Sequence, residues 1–235
     1  MSRENTCCAI LVVMTLAGTA VAGVDVEFLF PDTPYLSSAD SPFDLFGKGS
    51  DFLLEHFEDG LLNSLGLLGF GGEVRFPSPF TDSVDADDGF IDGFGIDGHD
   101  YWAFADPKDG PAARFEFDPK ALGGLPRSVG IVWTDGNVDA ITIFEAFGPD
   151  GRSLGTMEFF ALDDGRGQGG TAEDRFMGVI FTGGISAIEV RADLGRIELD
   201  HVQYGDLIPA PGALGLLSLA GLFGRRSRRS RSTDV

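Results

Sequence analysis

From Val24 to Tyr204 apolar and polar residues alternate in short runs, the period of a strand with one buried face, and no long stretch keeps a helical period. The runs predict strands over Val24–Phe28, Phe52–Glu58, Glu73–Phe76, Arg114–Asp118, Ser128–Trp133, Ala140–Phe147, Leu154–Leu162, Phe176–Phe181, Ile185–Ala192 and Arg196–Tyr204. Between them stand "GPDGRS", "DDGRGQGG" and "TDGNVD", whose Asp-Gly and Gly-Gly pairs supply the positive φ angles of tight turns. Many short strands so punctuated predict an all-β fold, an antiparallel β-sandwich of jelly-roll type. Most of the 21 phenylalanines are expected between its two sheets, with Trp133 among them because it alternates with Ile131 and Val129. "LGGLPRS" holds at most one helical turn, and "DGLLNSLGLLGFGG" reads either way.

The pattern breaks at both ends. Residues 1–22 place Arg3 before an apolar run and end on Ala20 and Ala22, which predicts a helical secretory leader cut before Gly23 by signal peptidase. Cys7 and Cys8 both lie in this leader, so the exported chain is expected to lack disulfides, thiolate metal sites and cysteine nucleophiles. Residues 23–50 lead into a sandwich domain over 51–206, and 207–235 form a tail. Its apolar helix, Ala213–Phe223, is shorter than the roughly 20 residues a stable membrane span needs, and an arginine cluster follows. That predicts a transient anchor.

Charge narrows the partners. The 17 basic and 37 acidic residues of the chain fall to 11 and 35 between Gly23 and Leu207, a net charge near -24. Such a field repels nucleic acid and anionic lipid, which excludes both as partners of the folded part. It attracts cations, calcium above all, or serves only to keep the surface soluble.

The tail order Pro209-Ala210-Pro211-Gly212, apolar helix, then Arg225 and Arg226 with further arginines, resembles the PEP-CTERM sorting signals of bacteria. Pro-Ala-Pro stands where that family usually has Pro-Glu-Pro. The resemblance implies processing by an exosortase-type enzyme and delivery to the cell surface or exopolysaccharide matrix of a Gram-negative-type bacterium. The phrases "LEHFEDGLLN", "FTDSVDADDGFIDGFGIDG", "GIVWTDG", "AEDRFMG", "GISAIEV" and "IELDHVQYG" are similar to a jelly-roll-like domain of uncharacterised function common ahead of such tails.

Candidate chemistry is carboxylate chemistry. A first strand ending Glu58-Asp59 and a last strand carrying Glu198 and Asp200 are similar to carbohydrate-binding jelly rolls, whose structural calcium ties those strands together. The resemblance implies Glu58 and Asp200 as ligands, joined by Asp59 and Glu198. The other reading is solvated strand-end acids. The cluster Asp85, Asp87, Asp88, Asp92, Asp97 and Asp100 fails the EF-hand pattern, because Gly89 comes one residue early and Ile96 takes the place of the closing glutamate. Tyr101 and Trp102, beside it, are candidates for sugar stacking or for the core.

Two motifs resemble enzymes. "GRSLG" matches a nucleophile elbow around Ser153 but sits on a hairpin turn rather than between strand and helix. "ELDHVQ" is similar to the E-x-D-x-x-E of laminarinase-like glycoside hydrolases, yet Gln203 replaces the second carboxyl and cannot exchange a proton. His56, His99 and His201 lack the close spacing of a zinc site. The expectation is a non-enzymatic surface or matrix protein that binds polysaccharide or calcium, with a ligand-free structural envelope component and a glycan-cleaving enzyme acting through Glu198 as alternatives.

Overall fold

A computed structural model describes residues 13–15, 25–76, 81–84, 98–106, 110–160, 162 and 173–209. In chain order its elements are β1 (Val13–Thr15), β2 (Val26–Leu29), β3 (Leu53–Glu55), β4 (Leu67–Phe70), β5 (Gly72–Arg75), β6 (Asp100–Asp106), β7 (Gly110–Phe117), α1 (Pro119–Leu122), β8 (Gly124–Asp135), β9 (Ile141–Phe147), β10 (Ser153–Phe160), β11 (Arg175–Phe181), β12 (Ala187–Ala192) and β13 (Arg196–Pro209).

Antiparallel pairing joins these strands into two sheets packed as a sandwich. The first runs β1-β10-β9-β12-β7-β4 and the second β2-β11-β8-β13-β6-β5, with β3 beside the far half of β13. A short pairing of β6 with β7 passes the chain between them. Every second residue of β7 and β9 is buried, as the sequence alternation predicts for strands with one face on a core. That core holds Phe115, Phe144, Met157, Ile131, Ile197 and Leu199, all fully buried, together with Trp133.

A second, smaller core lies on the opposite face of the second sheet. Tyr35, Phe43, Leu45 and Val84 pack there on Val132 and Phe176. The phenylalanines therefore divide between two layers rather than filling one. Phe176 fits because its neighbours in the sheet are glycines: a Cβ on Gly130 would stand 2.1 Å from the ring tip, and one on Gly178 2.5 Å from its edge.

Several boundaries differ from expectation. β4 and β6 were not predicted, and β8 and β13 run longer than the sequence suggests, because central strands buried on both faces lose the alternation that marks their ends. The helical turn α1 ends at Gly123, φ 80°, just ahead of most of the stretch expected to hold it. Three leader residues form an edge strand on β10, where a helix was expected, since that edge offers unfilled backbone donors and acceptors. Leu207, Ile208 and Pro209, placed in the tail by the sequence, complete β13.

Candidate functional site

β13 alternates sharply. Ile197 and Leu199 enter the inter-sheet core, so Glu198 and Asp200 project together from the opposite face. Register carries that face sideways: Leu199 pairs with Tyr101, which sets Asp200 beside Asp100 at the head of β6. Across β8, Trp133 pairs with Arg175, which sets Thr134 beside Asp174 just ahead of β11. Asp100, Asp200 and Asp174 thus stand along one row, with Thr134 of β8 between the last two.

Residues 81–84 strap across this row. The Asp82 N–H donates to Glu198 Oε2 at 2.9 Å, the Val84 N–H to Asp200 Oδ2 at 2.8 Å, and Thr134 Oγ1 to the Asp82 carbonyl at 2.9 Å. Under the strap Asp100, Asp174, Glu198 and Asp200 are each 0% exposed, and Asp82 is 1% exposed. Burying carboxylates without compensating partners costs several kcal/mol each, so their pairing decides what the site can do.

The compensation is uneven. Glu198 is held by Arg196, whose Nε donates at 2.8 Å while its Nη2 donates to Asp135 Oδ2 at 2.6 Å. Burial and the charge of Glu198 nonetheless push Asp135 up to about 6, against the pull of Arg196. No N–H or hydroxyl donates to either oxygen of Asp100, which instead shares a carboxyl–carboxyl hydrogen bond with Glu198. Burial holds its pKa well above the usual carboxylate range, as do Glu198, whose carboxyl lies against it, and then Asp200 and Asp82. The Asp174 oxygens receive no hydrogen bond, and burial, Asp82, Glu173 and Asp200 push that group up against the pull of Arg175. Asp200 is raised by burial although Val84 donates to it, and Glu58 adds to the shift. Among the described residues, no three His, Cys, Asp or Glu side chains stand gathered at metal-ligand geometry.

The predicted calcium residues are partly brought together. β3, the strand that leads to Glu58, does pair with the last strand β13, Glu55 opposite Val202. Glu58 follows that pair and feels Asp200, but its Oε1 accepts the His99 N–H at 3.0 Å and its Oε2 lies 3.6 Å from His99 Nδ1. Asp59 is spent on a surface turn, accepting from the Leu61 N–H and from Asn63 Nδ2. A residue the sequence reading passed over fixes this loop. Buried Glu55 accepts the N–H groups of Phe57, Asn63 and Ser64 at 2.9–3.0 Å.

Tyr101 and Trp102 do not form one sugar-binding face, because neighbours on a strand point to opposite sides. Tyr101 is 3% exposed in the inter-sheet core, and its hydroxyl donates to the Gly72 carbonyl. Trp102 lies on the outer face with the Arg75 guanidinium 4.3 Å and that of Arg196 5.4 Å from its ring. Ser153 opens β10 after the hairpin turn over Gly148–Arg152, with strand rather than helix following. Gln203 is sealed between Tyr35 Oη at 2.8 Å and Ser41 Oγ at 2.5 Å. His201 is buried at φ 46° and held down to about 3, by burial first and then by the charge of His56. The cluster from Asp85 to Asp97, and Pro211, Gly212, Arg225 and Arg226 of the tail, lie outside the described residues.

Asp82 and Asp174 are buried acids that the sequence does not single out. Each belongs to a phrase noted above, "FTDSV" and "AEDRF", and Asp174 continues outward the alternation that makes Phe176 an outer-face residue.

No family model matches the chain, and no curated protein matches it. Among solved structures it is similar to a cleaved adhesin domain of Lys-gingipain from Porphyromonas gingivalis, at 16% identity and TM-score 0.40 over 65% of this chain and 96% of that one. It is also similar to the C-terminal family 22 carbohydrate-binding module of Clostridium thermocellum Xyn10B, at 10% identity and TM-score 0.35 over 67% and 94%. No helix among the described residues is long and apolar enough to cross a membrane.

Proposed function

We propose that this chain is an exported, non-enzymatic surface or matrix protein whose β-sandwich binds polysaccharide, with the leader and the Pro-x-Pro tail as its address. Signal peptidase and an exosortase-type enzyme are the processing partners in this reading, and the tail holds the chain at the membrane only in transit.

The observation that supports a binding module over a glycan-cleaving enzyme is the state of Glu198. Its carboxylate is 0% exposed, accepts from Arg196 and from the Asp82 N–H, and has sealed Gln203 where a second carboxyl would be needed. A group so enclosed cannot reach a glycosidic bond. The negative surface adds a condition, since an acidic polysaccharide would be repelled unless a divalent cation bridges the two.

The test is retention of the purified protein on a panel of polysaccharides, in calcium and in chelator. Retention on a glycan supports the reading, and loss of that retention in chelator supports cation bridging. Absence of retention in both conditions points to a structural envelope component instead. Release of reducing ends from β-glucan, abolished in Glu198→Ala, would replace the binding module with an enzyme.

A further inference from the structure

We propose that the free edge of β10 docks β10 of a second copy of this chain, and that the leader strand β1 covers that edge until the leader is removed. This interface rests on the reading of residues 1–22 as a cleaved leader. It is independent of any polysaccharide.

β1 shows that the edge accepts a strand. Among the described residues β10 pairs with β9 on one side and, on the other, with Val13–Thr15 alone. That pairing is antiparallel, with Val13 opposite Glu158, Met14 opposite Met157 and Thr15 opposite Thr156. A cut before Gly23 falls between β1 and β2, so it releases β1 and leaves β2 on β11. β10 then ends the first sheet with a row of unpaired N–H and C=O groups, and such an edge is a template for another strand.

β10 is self-complementary in the register that β1 uses. Under a two-fold axis at Met157 the two copies of Met157 face each other, and Thr156 of each copy faces Glu158 of the other. The second copy's Thr156, Met157 and Glu158 then fall where Val13, Met14 and Thr15 stand in β1: a β-branched residue, a methionine and a polar residue, in the same order. No like charges stand directly opposite, the arrangement that destabilises a strand pair. One residue further out Phe159 faces Gly155, which has no side chain to meet it. An axis at Glu158 would instead set two carboxylates opposite each other.

The leader thereby gains a second role. While β1 is in place the edge is filled from within the chain, and two copies cannot pair through it. Removal of the leader on export opens the edge where the protein is delivered. Charge sets the limit on pairing: each copy carries a net charge near -24 between Gly23 and Leu207, so two domains repel at long range and associate more tightly as salt shortens that range.

The test takes the full chain before and after export, with intact mass fixing where each begins, and follows association by sedimentation. The chain that begins at Gly23 is expected to dimerise, more tightly at higher sodium chloride, and the uncut chain to stay monomeric. Thr156→Glu sets like charges opposite each other at both ends of the pairing and should raise the dimer dissociation constant roughly tenfold. Mixing it with Glu158→Lys chains should restore pairing between the two, a rescue in trans that no effect on either fold would imitate. The cut chain has no cysteine of its own, so Thr156→Cys and Glu158→Cys chains mixed together should form a disulfide faster than either alone, directly opposed strand residues lying about 4.5–5.5 Å apart at Cα. A cut chain that stays monomeric at every salt concentration would overturn the proposal and leave the leader reading intact. So would a dimer that Thr156→Glu does not weaken and the cysteines do not lock. If the exported chain still begins at Met1, the leader reading fails instead, and Met14→Pro, which takes an N–H from β1, opens the edge in the uncut chain. A monomer in that variant would overturn the proposal as well.

Discussion

Asp135 shows how one side chain sets a pH response. It is 1% exposed, and its carboxyl is raised from 3.8 to about 6 by burial and Glu198. Between those values the folded chain holds a proton that the unfolded chain releases, so folding stability falls as pH rises through that window. The stabilisation is complete below 3.8 and gone above about 6, a span on the order of 3 kcal/mol. Asp135→Asn cannot titrate. Its urea midpoint relative to the parent should therefore rise across that interval, flat on either side, and a constant difference would show that Arg196 already keeps the group ionised. None of this was legible in "WTDG", where Asp135 reads as a turn residue. Its burial follows from the length of β8, which the turn signal cut short.

At the level of elements, the outer face of β8 and β11 is shaped by what glycine leaves out. Phe176 is 1% exposed, stacked on Tyr35 at 6.2 Å and met edge-on by Phe43 at 5.5 Å, so its ring has nowhere to retreat. Gly130→Ala would put a methyl group 2.1 Å from that ring, and overpacking of this kind costs about 1–3 kcal/mol. Adding Phe176→Leu should recover part of the loss, and a double-mutant cycle from denaturant melts would show the coupling. Simple addition of the two penalties would mean the ring moves freely. Strands of the other sheet were readable because one face is wet, as in β7, β9 and β10. β6 is harder to read, because "DYWAFAD" is a continuous apolar run between acids with no alternation to mark a strand. The carboxylate row was hidden for a related reason. Glu198 and Asp200 are neighbours by alternation, which a sequence shows, but Asp100 and Asp174 join them through strand register, which it does not.

Over the whole molecule, the charge near -24 between Gly23 and Leu207 acts against folding at every distance at once. Added salt reads this repulsion directly. Sodium chloride shortens the screening length from about 30 Å at 0.01 M to about 8 Å at 0.15 M, which weakens repulsion among surface acids and leaves buried groups nearly untouched. Melting temperature should rise over that range and then level off. If the protein shows no sodium response, its surface charges are far enough apart that self-repulsion does not govern the fold, and the acidic composition would then bear on partners alone.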